Sequence, residues 1–427
     1  MSLSLTIIAA TLLAQDIVFE HASVVPMTSN TVLKDQSVHV SQGRIVAVGP
    51  AAKIRVPTNA TKIDARGKFL APGFAEMHGH IPPPSAPASF IEDVLFLYVA
   101  NGVTTVRGML GYPGQLDFRE KAKRGEIVAP TLYLAGPSFS GATVKSAEQA
   151  VNRVREQKRE GWDLLKIHPG VPLDAYNAMA KTAKEVGIRF GGHVPAEVGI
   201  LRALEAGQET IDHLDGYLEY LDTKGAPIPD AAMREVAKLT KKHGAGVVPT
   251  MVLWETIIGA PEASTVNAFP ELKYMPPATV KQWQEAFEFR RKQTSFSLER
   301  VRRVAADRKR LLQAMHKEGV TIWFGTDAPQ QFSVPGFSVH REMKFMAEAG
   351  ISNYEVIRSG TVNVGQYFQG QDRFGTVAAG QRADLVLLEG NPLEDIGNYS
   401  KIAGVVLRGR WIPRAEIQER LSRIALR

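Results

Sequence analysis

The sequence predicts an α/β chain: a (β/α)8 TIM barrel over residues 72–374, with a small β-sandwich made by both chain ends, residues 16–71 and 375–415. Three observations predict it. Eight short apolar runs stand in series through the middle of the chain, mostly separated by segments of helical spacing. Both ends instead alternate apolar runs with turn residues. Several of the central runs close on His or Asp, at the strand end where barrels carry their chemistry. A chain of 427 residues accommodates one large barrel and a smaller module.

The first fifteen residues form a signal-like apolar segment, Leu3 to Ala14, too short to span a bilayer. No stable membrane insertion is expected. The segment has the apolar region of a secretory signal but no basic start, the first basic residue being Lys34. A periplasmic or secreted protein is the expectation, with a cytoplasmic one as the alternative.

From Asp16 to Asp64, Ile17-Val18-Phe19, Val38-His39-Val40 and Arg44-Ile45-Val46-Ala47-Val48 read as strands, punctuated by Asn30, Gly43 and Gly49-Pro50. At the far end Asp384–Leu388 and Gly404–Leu407 behave alike. The central runs are Gly73–Met77, Thr104–Arg107, Thr131–Ala135, Leu164–Ile167, Arg189–Gly192, Glu209–Asp212, Val247–Val252 and Thr321–Phe324. Ala147–Glu160, Leu173–Val186 and Asp230–His243 between them carry helical spacing with charged outer faces. The interval from Trp254 to Glu318 is much longer than the others and is expected to cover the barrel mouth.

The chain has no cysteine, which excludes disulfides, thiolate catalysis and Cys-ligated metal sites. Its net charge is +7, and the stretch Lys281–Lys317, with eleven Lys/Arg against four Asp/Glu, accounts for all of it. Such a stretch reads first as a solvated helical face. The sharper reading is a basic lid that attracts anionic substrates. No nucleic-acid-binding module accompanies it, so nucleic acid is not expected as a partner. Homo-oligomerisation is left open.

His78-Gly79-His80 closes the first barrel strand. Alternate strand residues share a face, so both imidazoles can point at one ion, and Gly79 leaves room between them. Lys166 ends the fourth strand. A lysine pointing into a barrel mouth is costly unless paired or modified, and its neutral amine can add CO2 to give an anionic carbamate able to bridge two cations. An ion pair is the plainer reading. His193 ends strand five, His213 strand six and Asp327 strand eight. A single strand-end His is more often structural than a ligand; the set on one rim is what points to a metal. His168 shares a strand face with Lys166 and is a candidate substrate contact, as are Arg107, Tyr217 and Trp254; Arg107 could grip a carboxylate bidentately.

With these residues in place the chain resembles the amidohydrolase superfamily, close to its prolidase-like and imidazolonepropionase-like branch. Ala71-Pro72-Gly73-Phe74 leading to His78-Gly79-His80 matches the superfamily's first motif. Lys166, His193, His213 and Asp327 fall in its remaining metal positions in order. Gly375-Thr376-Val377, Ala383-Asp384-Leu385-Val386 and Asn391-Pro392-Leu393 are typical of its C-terminal part. The resemblance implies two divalent metal ions, zinc first, with manganese, iron or cobalt as alternatives. His78, His80 and Asp327 would bind one, His193 and His213 the other, and N6-carboxylysine at Lys166 would bridge them. It also implies a metal-bridging hydroxide as nucleophile and Asp327 as the proton-transfer residue.

The implied activity is hydrolysis of an amide or peptide C–N bond of a small substrate such as a dipeptide or N-acyl amino acid. The chain departs from related dipeptidases, which often carry Gly-Gly-His after strand three, where Gly136-Pro137-Ser138-Phe139-Ser140-Gly141 has no His. It also departs from mononuclear deaminases, which place a Glu three residues after the strand-five His; position 196 here is Ala. An esterase or lactonase on the same centre, a deaminase of an aminated ring, and a non-catalytic scaffold remain as alternatives. Metal content and ammonia release separate them.

Overall fold

The computed structural model describes residues 16–222 and 226–426; the signal-like segment lies outside them. Among the described residues no helix is long and apolar enough to cross a membrane.

The middle of the chain is TIM-barrel-like. Strands Phe74–Gly79, Val103–Gly108 and Thr131–Leu134 form one parallel sheet, and Leu164–Ile167, Arg189–Gly192, Thr210–Asp212 and Gly246–Val248 another. Two isolated parallel bridges, Ala135 to Leu164 and Phe139 to Ile167, link the end of the first sheet to the second. The eighth expected strand, Thr321–Phe324, makes one bridge, Ile322 to Val247, and no ladder. Its backbone still spans the gap. Trp323 N–H donates to Val247 on one side (2.9 Å), and Met77 N–H donates to Phe324 on the other (2.8 Å). Just beyond, Thr326 N–H donates to the Glu76 carboxylate rather than to a strand carbonyl, which interrupts the pairing for one residue before Asp327 N–H donates to His78 O (2.8 Å) and His80 N–H to Ala328 O (2.7 Å).

The seventh run stops earlier than its composition suggests. Pro249 has no N–H to donate, Thr250 has φ +45°, and Met251–Ile257 is helical. That helix begins on the carboxylate of Glu342, which accepts from Met251 and Val252 N–H. Gly161 and Gly187 end helices Ala147–Glu160 and Leu173–Val186 in the left-handed conformation.

The two chain ends, expected as a sandwich, share one hydrogen-bonded sheet of eight strands. Strand Ile17–Val24 lies inside it. Its first half pairs with Thr61–Asp64, its second with Phe69–Pro72, and its other edge with Leu33–Ser41. Phe69–Pro72 pairs in turn with Leu385–Leu388, so the ends meet at that junction. Phe19, Val38, Ile45, Leu70, Leu385 and Val406 give this module its own core. A helix the sequence reading did not assign, Arg414–Ala425, follows the last strand. Its Ile417, Leu421 and Ile424 join Phe96 and Leu97 of helix Ala88–Ala100.

The long insertion consists of Met251–Ile257, Ala263–Asn267, Pro270–Tyr274, Pro277–Arg291 and Leu298–Lys317, all helical. Trp283 and Phe287 pack on Phe332, in the loop that follows the eighth strand position. Helix Pro277–Arg291 therefore stands on the side to which the strand ends point, while Leu298–Lys317 packs beside helix Asp230–Lys242.

Candidate metal centre

The strand-end residues converge. His78 and Lys166 are both fully buried, with Lys166 Nζ 3.0 Å from His78 Nε2. The rings of His78 and His213 have centroids 4.4 Å apart, and those of His193 and His213 4.5 Å. Asp327 lies between them. Its Oδ1 bonds His80 Nε2 and is 3.5 Å from His78 Nε2, and its Oδ2 is 3.7 Å from His213 Nε2. One ligand atom each from His78, His213 and Asp327 falls within 4.8 Å of the other two.

Local backbone geometry makes this convergence possible. A Cβ at residue 79 would come within 2.9 Å of the Tyr98 hydroxyl and of Val106, so only glycine fits between the two histidines. Gly192, with φ +123°, lies against Ile167 O and the Lys166 side chain. His213 (φ +64°), Thr250 (φ +45°) and Asp327 (φ +62°) all take left-handed conformations where strands end, an uncommon state for such residues that re-aims their side chains.

Three imidazoles are turned by a partner on Nδ1. Asp212 Oδ2 holds His78 at 2.7 Å, Asp215 Oδ2 holds His193 at 2.7 Å, and Thr250 Oγ1 holds His213 at 2.7 Å. Each Nε2 is thereby left for the centre, the arrangement metal-binding histidines use. His213 Nε2 is the telling atom: it is buried and has no hydrogen-bond partner among the described residues. Buried polar atoms are rarely left so. A divalent ion suits it, because neutral imidazole nitrogens and an ionised carboxylate are the donor set such ions take.

Electrostatics agree with that donor set. Burial drives His78 and His213 well below their ordinary value, with neighbouring Lys166 and His78 respectively adding to it, so both rings are neutral. Burial also pushes Asp327 upward, but His78, His80 and Lys166 together outweigh it and hold the carboxyl at about 2. Burial pulls Lys166 down to about 8 against the opposing pull of Asp212 and Asp327.

Two of the four candidate substrate contacts are near the centre. His168 stacks on His193 with centroids 5.1 Å apart, and burial together with Lys166 lowers it to about 2. Trp254 meets His213 edge-on at 6.4 Å. The other two are corrected. Arg107 is wholly buried, donating to Met77 O, Thr210 Oγ1 and both oxygens of Asp212, so its fork is committed within the barrel. Tyr217 is also wholly buried, its hydroxyl bonded to Thr240 Oγ1 on helix Asp230–Lys242. A strand-end or post-strand position does not say which way a side chain turns, and these two turn inward.

The sequence reading passed over Asp212, Asp215, Thr250 and Glu76. Glu76 is buried and accepts from His78 N–H, Thr326 N–H and Thr326 Oγ1, tying the first strand to the last. A signal was available: Asp212 and Asp215 flank His213 within four residues.

Comparison with known proteins agrees with this geometry. The chain is similar to ochratoxinase of Aspergillus niger, 22% identical over 432 aligned residues that span 85% of this chain and 79% of that protein. Among solved structures it is similar to bottromycin amidohydrolase, with a TM-score of 0.76 at 22% identity over 96% of this chain and 90% of that one. A Xaa-Pro dipeptidase with methionine bound in its active site gives 0.71 at 21% identity, over 93% and 100% respectively. At such identities the structural likenesses establish the fold. Residues 69–412 match the model of the amidohydrolase family, and the chain belongs to that family as a hydrolase acting on carbon–nitrogen bonds.

Proposed function

We propose that the protein hydrolyses the amide bond of a small substrate, a dipeptide or an N-acyl amino acid, at a centre of two divalent ions. The observation that carries this reading is the buried His213 Nε2, without a hydrogen-bond partner among the described residues, facing Asp327 and flanked by the rings of His78 and His193. His78, His80 and Asp327 would hold one ion, and His193 and His213 the other. Lys166 would bridge them as N6-carboxylysine. When bound, such ions make a water acidic enough to ionise near neutral pH and polarise a carbonyl, zinc being the first candidate.

The chain's own groups do the remaining work. The lowered pKa of Lys166 raises the share of its neutral amine, the form that adds CO2. Asp327 is ionised at neutral pH, so its Oδ2 can take the proton of the attacking water and return it to the leaving nitrogen. His168, neutral and stacked on His193, would orient the substrate beside the centre. Deamination finds less support, since position 196 is Ala and Glu197 is exposed.

The test is a screen of N-acyl amino acids and dipeptides, with esters and lactones alongside, using metal-replete protein. Amine release that a chelator abolishes and added metal restores is the expected result. Ester cleavage or ammonia release without any amide cleavage would replace this reading.

A further inference from the structure

The basic stretch Lys281–Lys317 contains one residue unlike its neighbours. Arg308, on helix Leu298–Lys317, is only 4% exposed. Its guanidinium lies 4.2 Å above the ring of Trp254, whose edge meets His213. One indole ring therefore separates the cation from the centre.

Arg308 Nε and Nη2 are both buried without a hydrogen-bond partner among the described residues. These two nitrogens form one edge of the guanidinium. Their N–H bonds run parallel, at the spacing of the two oxygens of a carboxylate, and this edge takes carboxylates bidentately. Trp254 Nε1 beside it is likewise buried and unpartnered. Unmade hydrogen bonds from a buried cation are expensive, so a fold that keeps them has an acceptor to gain.

Among the described residues, nearby acids do not supply it. Asp215, Glu219 and Glu342 act on Arg308 through space. Both oxygens of Glu342 are taken by Met251 and Val252 N–H, and Asp215 Oδ2 is taken by His193. Glu219 is exposed. Arg107, the arginine the sequence marked for a carboxylate, is already spent on Asp212.

We propose that Arg308 binds a carboxylate of the substrate through its Nε–Nη2 edge, with Trp254 as the platform that sets it beside the centre. The preferred substrates are then amides that carry a free carboxylate near the scissile bond. This rests on the amide-hydrolase reading.

Two measurements test it. In the first, wild type, Arg308→Lys and Arg308→Met are given N-acetyl-L-phenylalanine and its decarboxylated analogue N-acetylphenethylamine, which share the scissile amide. Wild type should prefer the acid. Arg308→Met should raise KM for the acid by ~10- to 100-fold with a smaller change in kcat, and should remove the preference. Arg308→Lys keeps charge without the fork and should fall between.

The second is calorimetric binding of 3-phenylpropionate and 3-phenylpropanamide, which needs no turnover. The acid should bind wild type more tightly than Arg308→Met, while the amide should not distinguish them. Circular dichroism of each variant establishes that it is folded. Equal binding of the acid to folded wild type and Arg308→Met overturns the inference, as does turnover without acid preference, which leaves amide hydrolysis standing. Arg308-dependent binding of the acid with no amide cleaved by wild type would sink the amide-hydrolase reading alone.

Discussion

Asp212 Oδ2 stands 2.7 Å from Nδ1 of His78, and so fixes which nitrogen of that buried imidazole faces the centre. The same carboxylate accepts from Arg107, which holds it in place. Asp212→Asn keeps the shape but loses the charge. It should weaken metal binding by about 10- to 100-fold, the usual effect of changing a ligand's hydrogen-bond partner. Metal per chain after dialysis against a graded chelator measures this. Unaltered retention would show that Asp212 serves Arg107 alone.

Lys166 offers a sharper test. Lys166→Ala should lose the second ion and nearly all activity, and bicarbonate with short carboxylic acids should restore part of it. Lys166→Arg should fail as well, because a guanidinium stays protonated and forms no carbamate. Two ions per chain and full turnover in Lys166→Arg would refute the bridge.

The pH dependence of stability carries a signature of Glu342. Burial raises its carboxyl from 4.5 to about 8, although Met251 and Val252 N–H oppose the shift. Between these values the folded chain holds a proton that the unfolded chain has released. Its contribution to stability is therefore full below about 4.5 and is lost as pH climbs through about 8. Glu342→Gln should have a melting temperature that falls less than wild type's from pH 5 to pH 8. Glu76, shifted the same way and adding to the shift of Glu342, remains in both proteins. Parallel falls would remove Glu342 from the account.

Gly79→Ala tests the closeness of the two histidines. The added methyl meets the Tyr98 hydroxyl and Val106 at 2.9 Å, both in buried side chains with little freedom to retreat. Overpacking of this kind costs about 1–3 kcal/mol. Urea unfolding should register that loss together with weaker metal binding. An unchanged midpoint would mean that the strand shifts to make room.

Much of the candidate metal centre was legible in the sequence, because its residues sit where a simple rule puts chemistry, at strand ends facing one rim. His78, Lys166, His193, His213 and Asp327 needed only the strand register to be placed together. What was illegible depended on side-chain direction and on distant partners. Arg107 has the right position for substrate, yet Asp212 draws it inward from 105 residues away. Tyr217 turns to Thr240 for its hydroxyl bond. Arg308 was one cation among eleven until its burial against Trp254 set it apart. At the chain ends the apolar runs marked strands correctly, but only the pairing of Phe69–Pro72 with Leu385–Leu388 shows that both ends form one sheet.

That pairing orders events on the ribosome. Strand Phe69–Pro72 emerges early, but its partner Leu385–Leu388 is made more than 300 residues later. Throughout translation of the intervening barrel, the nascent chain carries an unpaired β-edge lined by Leu70 and Ala71, which are buried once folding is complete. Such edges invite association with other chains. The interval before the last strands arrive is therefore when this protein is most exposed to misassembly, and a chaperone that binds the waiting edge would act then.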